Sequence, residues 1–246
     1  INSRGLEDEV IVLGKGAHTP QCEPKYIKPQ IEESLERLKL KKIDIFCLHR
    51  DNHEIPVGEF VDALDEIKKD GLIGKIGASN WEQHRFEEAR SFAITNNKEP
   101  FTVLSNNFSL AEMIEPVWPG CVGVNRDYLN YLKQNDILLF PWSSQARGFF
   151  IQKKTIKSND HFSNPSLDEE KRVWHSEGNL NRRQICFDIA AKRNVHPIEV
   201  ALAYVIQTSS LIYPLIGPRT VFETDSSISA VSMNLTNDEM EKLSKG

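Results

Sequence analysis

The sequence has little cysteine, and none of it is arranged for chemistry. Cys22, Cys47, Cys121 and Cys186 are the only four in 246 residues, and no two form a C-x-x-C pair. That argues against a zinc ribbon, a redox dithiol or a disulfide framework, and reduced thiols in a cytoplasmic protein are the expectation. Cys47, inside an apolar run, reads as core filler. Long hydrophobic runs are also missing. None approaches the roughly 18 residues that a membrane span requires, and the opening INSRGLEDEV carries no apolar signal segment. Positive charge is not in excess: 30 Lys and Arg face 35 Asp and Glu, a net charge of −5, with a pI of about 5.9. Neither nucleic acid nor an anionic membrane is therefore expected as a partner. His161 and His175 are too isolated to suggest a metal site, and there is no internal repeat or low-complexity run.

What remains is ordinary globular composition: 39% hydrophobic, 26% charged, mean hydropathy −0.42. At this length one α/β domain over residues 1–246 is expected. Apolar runs rich in Val, Ile and Leu alternate with amphipathic stretches, the pattern of parallel strands joined by helices. Strands are expected at 10–15, 43–49, 73–78, 101–104, 137–142 and 211–216. Helices are expected at 24–38, 57–69, from about 81, and at 128–134, 182–192, 197–207 and 237–243. In the first helix Ile27, Ile31, Leu35 and Leu38 share a face. Gly71 suits the C-terminal cap of the second. Residues 152–181 are too long for a routine connection and suggest a lid or insertion. About six strands result, apolar throughout, as strands covered on both faces should be.

The C-terminal ends of these strands are where polar residues gather. They read Lys15-Gly-Ala-His18, His49-Arg50-Asp51, Ser79-Asn80-Trp81, Ser105-Asn106-Asn107, Trp142-Ser143-Ser144-Gln145 and Gly217-Pro218-Arg219-Thr220. In a parallel barrel those ends converge on the face where ligands bind; in an open doubly wound sheet they flank a crevice.

The ordered set resembles the aldo-keto reductase family. Lys15 in VIVLGKG matches that family's third-strand lysine, and His49 in IDIFCLHRD its fourth-strand histidine. Ser79 and Asn80 match its G-x-SN pair, Trp142 in LLFPWSSQARGFF its nicotinamide-stacking aromatic, and PLIGPRT its adenosine 2′-phosphate loop. The similarity runs from about Val10 to Leu243. It implies a (β/α)8 barrel of the TIM type that binds NADP(H) and reduces a small aldehyde or ketone by hydride transfer, with no metal. Lys15 and His49 would be catalytic, His49 donating to the carbonyl oxygen. Ser79 and Asn80 would hold the nicotinamide carboxamide, whose acceptor and donors they can complement. Ser105 falls where relatives often use Gln for the same group. Trp142 would stack on the ring, Ser143 and Gln145 would lie near the pyrophosphate, and Gly217 and Arg219 would hold the 2′-phosphate. The stretches NNFSLAEMIEPVWPGC and PWSSQARGFF further resemble modules fused to another oxidoreductase domain.

The sequence departs from the family in two places. Glu223 and Ser227 stand where relatives often carry Gln or Arg, then Asn, and an acid there opposes a phosphate. The first two strand–helix units, which in the family bring the Asp and the Tyr that protonates the carbonyl, are absent upstream of Lys15. A fragment of a longer protein, a homo-oligomer that covers open strand edges, and an incomplete barrel are the three explanations. Reduction would then be impaired, unless a missing N-terminal segment completes the domain; the rival is a non-catalytic, barrel-derived binding or regulatory module. His18 and Tyr26 are substitute proton donors.

Bland readings stand beside these. Ser79 and Asn80 could be a helix cap and a turn residue. Trp142 could be core, Arg219 a solvated loop residue, and Arg50 with Asp51 an exposed ion pair worth little.

Overall fold

A computed structural model describes residues 2–6, 9–151 and 167–246. Its sheet is parallel and ordered β1-β2-β3-β4-β5, with β1 (Leu13–Gly16), β2 (Ile43–Leu48), β3 (Ile73–Ala78), β4 (Val103–Leu104) and β5 (Leu138–Leu139). The chain divides into two compact units. One comprises Ile1–Ser105 with Gln134–Leu138, the other Asn106–Lys133 with Leu139–Gly246.

The first unit is built of strand–helix pairs. In β2 every side chain but that of Asp44 is buried, because helices rather than water cover the sheet. The register places Lys15 opposite Cys47, Leu48 opposite Ala78 and Gly77 opposite Val103. Gly77 must lack a side chain: a Cβ there would come within 2.0 Å of the Val103 carbonyl oxygen. α1 (Ile27–Leu38) buries Ile27, Ile31 and Leu35, but Leu38 is 45% exposed. It is the last helical residue, and the chain turns off at Lys39 in the left-handed region. α2 (Val57–Lys69) buries Val57, Phe60, Val61, Leu64 and Ile67. Gly71 follows its end at φ +78°, a geometry that glycine adopts without strain. α3 (Gln83–Thr95) starts after Trp81, which is fully buried between Phe60 and Phe101, each ring edge-on to it at centroid distances of 5.8 and 5.7 Å.

The second unit is mostly helical: α4 (Arg126–Gln134), α5 (Leu167–Trp174), α6 (Glu177–Arg193), α7 (Pro197–Thr208), α8 (Val221–Ser232) and α9 (Asn237–Lys245). Its core gathers Phe149, Phe150, Val173, Trp174, Cys186, Val200 and Leu243. α9 opens on a capping box in which Thr236 and Glu239 satisfy each other's backbone N–H.

Several expectations need correction. Among the described residues there are five strands rather than about six. The run 211–216 makes one bridge, Ile212 to Leu139, and its backbone N–H groups at Tyr213 and Leu215 bond to Leu139 and Pro141. Pro214 and Pro141 have no N–H to extend that ladder, which also cuts the expected strand 137–142 down to β5. Of the expected insertion 152–181, residues 152–166 lie outside the described residues. Leu167–Trp174 is helix, with Trp174 buried at its end, and Glu177 opens another. α8 was not anticipated at all.

Candidate functional site

At the C-terminal ends of β1 to β4 the first unit brings five of the expected site residues together. Lys15, near the end of β1, donates from Nζ to Ser105 Oγ at 2.8 Å and to Ser79 Oγ at 3.4 Å. Ser79, just past β3, is wholly buried and gives its own proton to the Ser105 carbonyl oxygen at 2.5 Å. Asn80 follows in the left-handed region at φ +59°, a conformation Asn tolerates better than most residues. Its Nδ2 donates to the His49 carbonyl at 3.2 Å and to Ser79 Oγ at 3.1 Å. The helix-cap alternative for this pair is excluded, since Glu82 occupies the N-cap of α3.

His49 and Lys15 carry shifted proton affinities with physical causes. Burial first, then the positive charges of Lys15 and Arg50 and the neighbouring His18, hold the His49 imidazole down at about 4, so it is neutral near pH 7. Burial lowers the Lys15 ammonium below its usual value, and Arg50 adds to the effect, while Cys47 opposes it. Cys47 remains a thiol, pushed up to about 12 by burial. His18 is exposed, gives Nδ1–H to the Thr19 carbonyl at 2.8 Å, and sets its ring edge-on to His49 at 4.8 Å between centroids. Tyr26 precedes α1 at its N-cap.

The segment after β2 is held by the next strand–helix connection. Trp81 Nε1 donates to the Arg50 carbonyl at 3.1 Å. Arg85, on α3, binds Asp51 with two 2.9 Å contacts and reaches the carbonyls of Ile55 at 3.0 Å and Asn52 at 3.4 Å. Asp51 is therefore buried with Arg85 and is not half of an exposed pair with Arg50, as the sequence had suggested. The carbonyls of residues 49, 50, 52 and 55 each receive a donor from Asn80, Trp81 or Arg85. Sequence reasoning missed Arg85. The available signal was its position four residues after Trp81, which puts it over the same ring on the first turn of α3, 5.4 Å from the centroid.

In the second unit, Trp142 is half-buried and packs against the core. Its carbonyl accepts from Asn107 Nδ2 at 3.0 Å, and its buried indole N–H has no hydrogen-bond partner among the described residues. Ser143, at φ +49°, and Gln145 flank Ser144, which donates to the Leu215 carbonyl at 2.8 Å. Gly217 and Arg219 are exposed. The Arg219 backbone N–H donates to Glu223 Oε2 at 2.5 Å, while Thr220 caps α8 by accepting from the Glu223 N–H. A carboxylate thus stands at the head of α8, where an anion would otherwise be favoured.

Among the described residues no group of three or more His, Cys, Asp and Glu side chains is placed to hold a metal. No helix there is long and apolar enough to cross a membrane.

Comparison with known proteins supplies a family. An aldo-keto reductase of Fusarium vanettenii is 26% identical over 85% of this chain and 54% of its own length. The versiconal hemiacetal acetate reductase of Aspergillus parasiticus is 25% identical over 89% and 61%, and the norsolorinic acid reductase of Aspergillus flavus 22% identical over 93% and 53%. The chain thus spans between half and two thirds of the length of these curated relatives. A thermostable aldo-keto reductase solved with the inhibitor epalrestat superimposes with a TM-score of 0.70 at 19% identity, over 98% of this chain and 74% of that one, so the barrel-type α/β fold is shared. The description of the aldo/keto reductase family matches residues 1–245, and the chain belongs to that family.

Proposed function

We propose that this chain is the part of an NADP(H)-dependent carbonyl reductase that positions the carbonyl and the nicotinamide. The observation that carries the reading is the network of Lys15, Ser79, Asn80 and Ser105 beside a neutral His49, in a chain of this family. When bound, NADP(H) would supply hydride. The residues present fit it in part. A Ser hydroxyl beside an Asn amide offers the donor and acceptor that a carboxamide needs. Trp142 offers a ring face and Arg219 an exposed guanidinium, but the Glu223 carboxylate beside Arg219 opposes a 2′-phosphate. Ser143, Gln145 and Gly217 are assigned to the cofactor by the family resemblance.

The chain's own residues divide the work. His49 stays neutral, and a neutral imidazole still carries one ring N–H that can donate to a carbonyl oxygen. Lys15 adds positive charge near that oxygen whenever it is protonated, favouring developing negative charge. Asn80, Trp81 and Arg85 fix the backbone from which His49 projects. The substrate class is aldehydes and ketones. Its proton source is His18, the exposed imidazole whose ring lies against His49.

Titrating the chain with NADPH while following cofactor fluorescence, and then assaying aldehyde reduction, tests this reading. Saturable quenching with turnover is expected, and His18→Ala should abolish the turnover. One observation favours the rival, a non-catalytic module: Ser79 and the Asn80 amide already have partners within the protein. Absence of any fluorescence change would establish that reading instead.

A further inference from the structure

Sheet pairing stops guiding the chain at His49. The His49 N–H donates to the Gly16 carbonyl and the Ser79 N–H to the Leu48 carbonyl, both at 2.6 Å, where β2 ends. From there to Ile55 the backbone is held by the side chains of residues 80–85, taken in step. Asn80 takes the carbonyl of His49, Trp81 that of Arg50, and Arg85 those of Asn52 and Ile55 together with the Asp51 carboxylate. Two neutral contacts add to these: the Cys22 thiol donates to the Arg50 carbonyl at 3.3 Å, and Asn52 Nδ2 to the Cys22 carbonyl at 3.1 Å. The Arg85 bonds are charge-assisted, a class roughly twice as strong as neutral ones. Other charges near the pair are His53, 3.2 Å from Asp51 Oδ2, and Glu88, 3.7 Å from Arg85 Nη1. Both are more than half exposed, so neither can stand in for the buried fork.

We propose that Arg85 is a positioning residue for carbonyl reduction. Its guanidinium fork, acting through Asp51 and the carbonyls of Asn52 and Ile55, sets the direction in which the chain leaves β2 after His49. It thereby sets where the His49 ring N–H meets the carbonyl oxygen. Strand pairing fixes His49 on its N–H side alone, so its carbonyl side follows the segment that Arg85 holds. What the arrangement requires is the shape of the donor and not its charge. A lysine carries the same charge on a single point and cannot engage both Asp51 oxygens and two carbonyls at once. The ring of Trp81, 5.4 Å from the guanidinium carbon, keeps the fork flat against α3's first turn. A displacement of about 1 Å at a reacting group can cost about a hundredfold in rate, so a clamp that never touches substrate still governs turnover. The inference rests on the proposed role of His49 at the carbonyl; it needs no contact between Arg85 and the cofactor.

The test compares Arg85→Lys with Lys98→Met, which breaks the 2.6 Å Lys98–Asp62 bond beyond the end of α3 and leaves residues 49–55 alone. Folding is checked by circular dichroism, and the His49 ring is read by nitrogen NMR without cofactor or substrate. In Arg85→Lys the ring signals should move or broaden and their titration midpoint should rise toward the ordinary value, as a released ring gains water. Lys98→Met should leave them in place. In benzaldehyde reduction, kcat and kcat/KM should fall together by about 10–100-fold, with NADPH quenching unchanged. In a His49→Gln background Arg85→Lys should cost no further activity, because residues that act as one unit are not additive. Asp51→Asn combined with Arg85→Gln strands no charge and, as the second variant, should move the ring in the same way. Unmoved ring signals in either folded variant, or an equal loss of activity with and without His49, overturn the proposal. The two readings fail separately: a moved ring in a chain that never turns over defeats only the reductase reading, and turnover with an unmoved ring defeats only the positioning role.

Discussion

Arg85 grips Asp51 through two parallel contacts, Nε to Oδ2 and Nη2 to Oδ1, both 2.9 Å. Their side chains are 10% and 4% exposed, so this is a buried ion pair whose carboxylate depends on its partner. Removing one member of such a pair costs about 3–5 kcal/mol, because the other charge is stranded out of water. Arg85→Met should therefore lower unfolding stability by that amount in urea denaturation. Adding Asp51→Asn should recover part of the loss, since no charge is then stranded. A single-variant loss below about 1 kcal/mol, the level of an exposed pair, would show that the clamp is not structural.

Gly77 sets the spacing of β3 and β4, and with it the meeting of Ser79 and Ser105. A Cβ at Gly77 would lie 2.0 Å from the Val103 carbonyl oxygen, and one at Gly74 would lie 2.3 Å from the Asp44 carbonyl. Backbone atoms cannot swing aside as a side chain can, so the strands themselves must part. Gly77→Ala should cost about 1–3 kcal/mol or more by urea unfolding and should weaken NADPH quenching. Gly71→Ala, where nothing lies within 4 Å but φ is +78°, should cost only its backbone strain. Equal losses at the two positions would argue against the steric account.

His49 gives a pH signature. Its folded value of about 4 lies below the ordinary 6.5. As pH falls through 6.5 the unfolded chain takes up the proton first, so this residue's effect on stability is nil above 6.5 and increasingly unfavourable down to 4. Nitrogen NMR of the ring should show one neutral imidazole persisting below pH 5. Lys15→Met removes the second-largest cause and should raise the midpoint, while burial keeps it under 6.5. A wild-type midpoint already near 6.5 would mean that the ring is solvated and free of Lys15's field.

These contacts explain which parts were legible in the sequence. β2, α2 and β3 follow directly from their apolar periodicity, because each is buried on the faces that the pattern names. The bundle of Lys15, His49, Ser79, Asn80 and Ser105 was foreseeable as well, since parallel pairing carries every strand's last residues to one end. The run 211–216 misled because Pro214 removes a donor that apolarity alone does not reveal. α8 was hidden by the chemistry of its own head: Gly217, Pro218, Arg219 and Thr220 read as a loop, and Thr220 is in fact the cap. Asp51 looked exposed because its partner lies 34 residues away on α3, beyond the reach of any local pattern.

Glu239 should govern the acid limb of stability in the second unit. Its carboxylate takes Nε of Arg193 at 3.0 Å and Nη2 at 2.5 Å, and also accepts the Thr236 N–H at 2.8 Å. The hydrogen bond from Arg193 is the largest of the causes that hold it at about 2, against an ordinary 4.5. A carboxyl lowered on folding adds stability that is complete above its unfolded value and is lost as pH falls through its folded one. The wild-type chain should thus lose stability between pH 4.5 and 2, and Glu239→Gln should remove that component of the slope while lowering stability at pH 7. Arg193→Met should return the Glu239 midpoint toward 4.5, read from its side-chain carbon shift. Both variants would add the same small, pH-independent loss if the pair were instead solvated, because a group with the same proton affinity folded and unfolded cannot link folding to pH.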